Sequence, residues 1–117
     1  MEMIYRVLAV GDVVGEAGVS HLRRHLRGLK KMKDIAFTVV NGENAAVVGM
    51  TPQQGEDILD AGADCITMGN HTWGKREIVT YLDDCPQIIR PANYAPQVPG
   101  RGWAEFDSQG YGVEDFL

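Results

Sequence analysis

An α/β fold, with repeated β-α units around a largely parallel sheet, is the class this sequence predicts, and three observations carry the prediction. Apolar, β-branched runs recur at IYRVLAV, IAFTVV and CITM, each followed by a helical pattern at the spacing of right-handed crossovers. Those runs lack polar alternation, as strands do when both faces of a sheet are covered. Each run also closes on a polar cluster: Gly11-Asp12, Asn41-Gly42-Glu43-Asn44 and Gly69-Asn70-His71.

The first strand is predicted over residues 4–10, and Gly11 stops it. A helix follows over 18–30, with Val19, Leu22, Leu26 and Leu29 at helical spacing and a basic tail that suits the negative end of the helix dipole. The second strand occupies 35–40, after which Asn41-Gly42 opens an irregular stretch reaching Met50. Thr51 as N-cap with Pro52 at the first helical position starts the next helix, which runs to residue 60 or 61 before Gly62 ends it. A third strand is predicted at 64–68, a short helix at 75–82 and a fourth strand at 87–90. The segment PANYAPQVPGRG is a loop rich in Pro and Gly, WAEFD at 103–107 is a candidate strand, and SQGYGVEDFL shows no clear period.

A chain of 117 residues makes one compact domain, burying a little under ~70% of the surface its unfolded form exposes. Apolar residues at 44% and charged residues at 23% are ordinary for a soluble globular protein. No apolar run approaches the ~18 residues a membrane span needs, and no signal-peptide pattern is visible, so a soluble cytoplasmic protein is expected. The net charge is −5, and Arg23, Arg24, Arg27, Lys30, Lys31 and Lys33 read as a solvated helix face, which argues against duplex DNA as a partner. Cys65 and Cys85 have no CxxC spacing and are expected to be buried free thiols. The turn GDVVGEAG does not match G-x-G-x-x-G in register, and neither a P-loop nor a GxSxG motif occurs.

The chemistry lies in the three clusters, because functional groups in an open α/β sheet gather past the carboxyl ends of the strands. Asp12 read alone is a turn cap; beside other oxygen donors it suits a metal. Asn41-Gly42 is either a tight turn or the start of a ligand loop, and ENAAVVGM leads into a helix rather than the second strand a hairpin requires. Glu43 can bridge two cations, and the Asn44 carbonyl can fill a coordination position without adding charge. His71 can ligate a metal or transfer a proton near neutral pH, although a loop histidine is often only a surface residue. His21 and His25, four apart on the first helix, have a zinc-compatible spacing but are read as helix surface. No histidine follows His71.

Taken in order, GDVVG, NGENAA, the Thr51-Pro52 helix start, AGADCITMGNHTW and RPANY resemble the calcineurin-like metallophosphoesterases, specifically the bacterial dinuclear 2′,3′-cyclic-nucleotide phosphodiesterases, over residues 4 to 106. The resemblance implies the amino-terminal half of the metallophosphoesterase sandwich, residues 1–117 forming a single partial domain. It implies two transition-metal ions, iron or manganese, bridged by a carboxylate and a hydroxide. By residue match Asp12 and Asn44 bind the first ion, Glu43 bridges both, Asn70 binds the second, and His71 protonates the leaving oxygen. Arg90, as a phosphate contact, and Asn93 are implied substrate contacts, with Trp73 and Tyr94 lining the cleft. Two departures stand beside the match. The family supplies three further histidine ligands in a carboxyl-terminal half that this sequence does not contain, and it commonly carries Asp where this chain has Gly74.

The expected function is therefore metal-dependent hydrolysis of a small phosphodiester or cyclic nucleotide, with no membrane partner. An outer sheet face left bare by helices on one side predicts association with a second copy or a further segment. The competing reading is a non-catalytic α/β assembly or regulatory module that keeps these loops without stable metals; a nucleotide-binding regulator is a third.

Overall fold

In the computed structural model, which describes residues 4–106 and 115–116, β1 (Val7–Val10), β2 (Phe37–Asn41), β3 (Cys65–Thr67) and β4 (Ile88–Ile89) form one sheet in the order β1-β2-β3-β4. Every neighbouring pair is parallel, with Val10, Val40, Ile66 and Ile88 in one lateral row. α1 (Gly15–Lys33), α2 (Pro52–Ala61) and α3 (Ile78–Asp84) are the connections. A progressive strand order with right-handed crossovers stacks all of them on one face. Accordingly Val19, Leu22 and Leu26 of α1, Ile58 of α2 and Ile78 and Leu82 of α3 share one core with Val40, Ile66 and Ile88.

On the opposite face the edge strand β1 is open while the central strands are buried. Val7 is exposed there, whereas Phe37 is buried and meets Phe106 edge-on at 5.2 Å between ring centroids. The predicted strand at 103–107 is reduced to β5 (Ala104–Glu105), which pairs antiparallel with β6 (Asp115–Phe116) in a separate two-stranded sheet. The remainder of the aperiodic SQGYGVEDFL segment lies outside the described residues.

Element boundaries moved for identifiable reasons. α1 starts three residues before the expected position, without a side-chain cap; instead the Gly15 N–H donates to the Asn44 carbonyl at 3.0 Å. It ends later, at Lys33: the N–H of the C-cap Asp34 reaches the Lys30 and Lys31 carbonyls, and the left-handed φ of 53° at Asp34 brings the Ile35 N–H to the Lys30 carbonyl at 2.9 Å. α3 starts three residues later than expected, because Lys75 and Arg76 oppose the positive helix N-terminus and residues 69–77 close successive i→i+3 turns instead. α2 is as predicted, with Thr51 and Gln54 forming a reciprocal capping box.

Two basic residues are not simply solvated. Lys30 Nζ donates to the Gly62 carbonyl at 2.6 Å and Arg27 donates to the Asp60 carbonyl, so α1 supplies the cations that the last turn of α2 lacks. Cys65 and Cys85 are buried free thiols, and burial, with Asp64 adding to it, pushes the Cys65 thiol up to about 11. No helix among the described residues is long and apolar enough to cross a membrane.

Candidate metal centre

The parallel register brings the three strand ends level, so the polar clusters that follow them meet above one edge of the sheet. Asp12 lies two residues beyond β1; Asn44 Nδ2 donates to its Oδ1 at 2.8 Å. Because a carboxylate only accepts, this bond fixes the Asn44 carboxamide with Oδ1 turned the other way. That oxygen lies 2.9 Å from His71 Nδ1. Nδ1 must then carry the proton, which leaves His71 Nε2 as the nitrogen open to a ligand. Asp12, Asn44 and His71, one from each strand end, thus form a continuous polar chain.

Glu43 sits beneath that chain. Its Oε2 accepts from the His71 backbone N–H at 3.3 Å and lies 3.9 Å from His71 Nδ1. The carboxylate is seated against Gly69 so closely that a Cβ there would fall 2.6 Å from Oε2 and 2.7 Å from Cδ. Only glycine makes room for it. Asn41 steadies the same carboxylate, its Nδ2 lying 3.3 Å from Thr67 Oγ1 and 3.5 Å from Glu43 Oε1. Gly42 is buried, and a Cβ there would come 2.9 Å from Ile66 Cγ2, so Asn-Gly here is tight packing at a strand end rather than a hairpin turn.

The loops bearing these groups are locked together. The Val47 N–H donates to the Asn44 carbonyl at 2.8 Å, and the Gly49 backbone passes so close to Gly74 that a Cβ on Gly49 would lie 2.9 Å from Gly74 Cα. The Gly69 carbonyl accepts from the Thr72 N–H at 3.0 Å, from Thr72 Oγ1, and from Tyr94 Oη at 3.2 Å. Trp73 follows on the same turn and packs on Tyr94 at 5.2 Å.

Among the residues singled out from sequence, Asp12, Glu43, Asn44 and His71 are brought into mutual contact. Asn70 is exposed on the turn beside His71. Arg90 is buried, with donors directed to the Pro91, Ala95 and Pro99 carbonyls, so it holds the 91–102 loop; Asn93 is exposed on that loop. Asn41 and Tyr94 prove to be supports of the site. Their signals were only adjacency, Asn41 opening the NGEN cluster and Tyr94 closing RPANY.

The donor set suits hard transition-metal ions in part. Carboxylates and carboxamides offer oxygen donors of the kind such ions take, and the glycine cradle fixes the Glu43 carboxylate in place. Among the described residues, however, no three of His, Cys, Asp and Glu gather as a metal-binding group. In this arrangement Asn44 turns its amide nitrogen to Asp12 and its carbonyl oxygen to His71, so the described residues supply donors without forming a complete ion site.

Comparison with known proteins identifies the family and the fold. A family model described as YmdB-like protein matches residues 8–114. The chain belongs to the YmdB-like family. This YmdB-like chain is 45% identical over 98 residues to the 2′,3′-cyclic-nucleotide 2′-phosphodiesterase of Bacillus subtilis (strain 168), a match covering 83% of the chain and 37% of the relative. A crystal structure described as a novel phosphatase of Mycoplasma pneumoniae superposes with a TM-score of 0.81 at 29% identity, covering 92% of this chain and 40% of that one. A hypothetical protein from Thermus thermophilus superposes with a TM-score of 0.79 at 32% identity, covering 90% and 41%. The chain therefore spans roughly two fifths of the length of these relatives. The metallophosphoesterase resemblance and the parallel α/β class are both borne out.

Proposed function

We propose that this YmdB-like chain carries the amino-terminal part of the active site of a metal-dependent phosphodiesterase that acts on 2′,3′-cyclic nucleotides. The observation that carries the reading is the contact chain Asp12–Asn44–His71 over the cradled Glu43, formed from three separate strand ends. The named activity of the Bacillus subtilis relative supports the substrate class.

Asp12 and Asn44 would hold one iron or manganese ion, Glu43 would be shared, and Asn70 would contribute to the second. Such a pair, when bound, lowers the pKa of water and neutralises charge on a phosphoryl group. The chain's own residues supply the rest. Asn44 keeps the proton of His71 on Nδ1, so Nε2, when protonated, faces outward as the general acid. Water adds to phosphorus and gives up one proton to solvent, the bond to one ribose oxygen breaks, the Nε2 proton passes to that oxygen, and solvent reprotonates Nε2, giving a phosphomonoester. Glu43 accepts the backbone N–H of residue 71 and so sets the height of the imidazole over the sheet edge. Arg90 holds the loop that presents Asn93 to the diester. The exposed Val7 on the outer sheet face supports association there with a second copy or with a further segment, in a cytoplasmic protein.

The test is metal analysis joined to turnover. Protein supplied with manganese or iron should retain about two ions and open a 2′,3′-cyclic nucleotide, and Asp12→Ala should lose both properties. Absent metal retention together with absent turnover would favour a non-catalytic module.

A further inference from the structure

Exposed apolar side chains stand beside the Asp12–Glu43–Asn44–His71 cluster. Val47, Val48 and Trp73 are exposed at 64%, 47% and 40%. Val48 Cγ1 lies 3.0 Å from the position a Gly74 Cβ would take, which brings the tip of residues 47–48 against the turn that carries Trp73. They also border the site itself, since the Val47 N–H is bonded to the Asn44 carbonyl and Trp73 lies two residues beyond His71. Val47 holds a left-handed φ of 69°, a conformation a β-branched residue disfavours. Trp73 cannot swing freely, because it rests on Tyr94, whose hydroxyl is bonded to the Gly69 carbonyl. A fixed, half-exposed indole beside a convergent polar cluster is the arrangement that ligands with a flat apolar part and a polar part require.

We infer that Trp73, backed by Tyr94 and flanked by Val47 and Val48, is a stacking platform for the nucleobase of the substrate. The inference rests on the cyclic-nucleotide reading above and deepens it, assigning the base to the Trp73 side and the phosphate to the Asp12–Glu43–His71 side. Stacking tolerates any base, because each presents a π-face. The platform thus selects nucleosides over simple alkyl diesters without selecting strongly among bases.

The experiment separates base from phosphate. In a Trp103→Phe background Trp73 is the sole tryptophan, since the chain has two. Titration with uncharged adenosine, with chelator present, should quench its fluorescence saturably, whereas ribose 5-phosphate should not. Calorimetry should show adenosine binding weakened ~10-fold or more in Trp73→Leu and largely retained in Trp73→Phe, with manganese retention the same in all three proteins. Equal adenosine affinity in Trp73→Leu, equal quenching by ribose 5-phosphate, or no adenosine binding would each overturn the platform. Adenosine binding that depends on Trp73 in a protein that never opens cyclic nucleotides would leave the platform standing and remove the hydrolytic reading.

Discussion

Gly69 shows how much a single position decides at this site. The Glu43 carboxylate occupies the volume of a missing methyl group, with Oε2 2.6 Å from where the Cβ would be. Gly69→Ala must displace either the carboxylate or the turn carrying Asn70 and His71. The expected result is a loss of metal retention and at least ~10²-fold of any cyclic-nucleotide turnover, since misplacing reacting groups by about 1 Å costs that much. Circular dichroism should remain that of the parent, because Gly69 is outside the core cluster. Unchanged metal content in Gly69→Ala would mean that Glu43 is not a ligand. In the sequence Gly69 was legible as a permissive residue before Asn-His, but the identity of the group it accommodates was not. Glu43 and Gly69 lie 26 positions apart, and only the parallel pairing of β2 with β3 sets them face to face.

At the scale of elements, local chemistry and tertiary contact divide the helices between them. α2 announces itself through Thr51 and Pro52, and its capping box is complete: Gln54 N–H donates to Thr51 Oγ1 at 3.2 Å and Thr51 N–H to Gln54 Oε1 at 3.0 Å. Gln54 Nε2 goes further, donating to Glu16 Oε1 at 2.7 Å and to the Ala45 carbonyl at 2.9 Å, which ties α2 to α1 and to the ligand loop. Thr51→Ala should cost ~1 kcal/mol, read as a lower denaturant midpoint with unchanged slope. A cost near zero would show that the helix start is held by Gln54 alone. α1 and α3 lacked such signals at their starts. The first turn of α1 leans on a carbonyl 29 residues away, Asn44 to Gly15, which no local window contains.

For the whole molecule, the asymmetry of the sheet matters most. Among the described residues, one face carries every helix and the continuous core, while the other shows exposed Val7 and the Phe37–Phe106 contact as cover. With the exposed β1 edge meeting a second copy, the protein should sediment as a concentration-dependent assembly. Val7→Lys, on that face and outside the core cluster, should shift the distribution toward monomer without lowering thermal stability. A parent that sediments as a monomer at all concentrations would end that assignment. By itself the sequence determined the β-α order, the apolar strands, the Thr51-Pro52 helix and the three polar clusters, because each rests on residues within a few positions of one another. The tertiary structure alone decided that Asn44 links Asp12 to His71, that Glu43 fills the space above Gly69, and that Arg90 turns its donors to its own loop. Those contacts join segments brought together by strand register and crossover, and register is a property of the packed sheet that no single segment encodes.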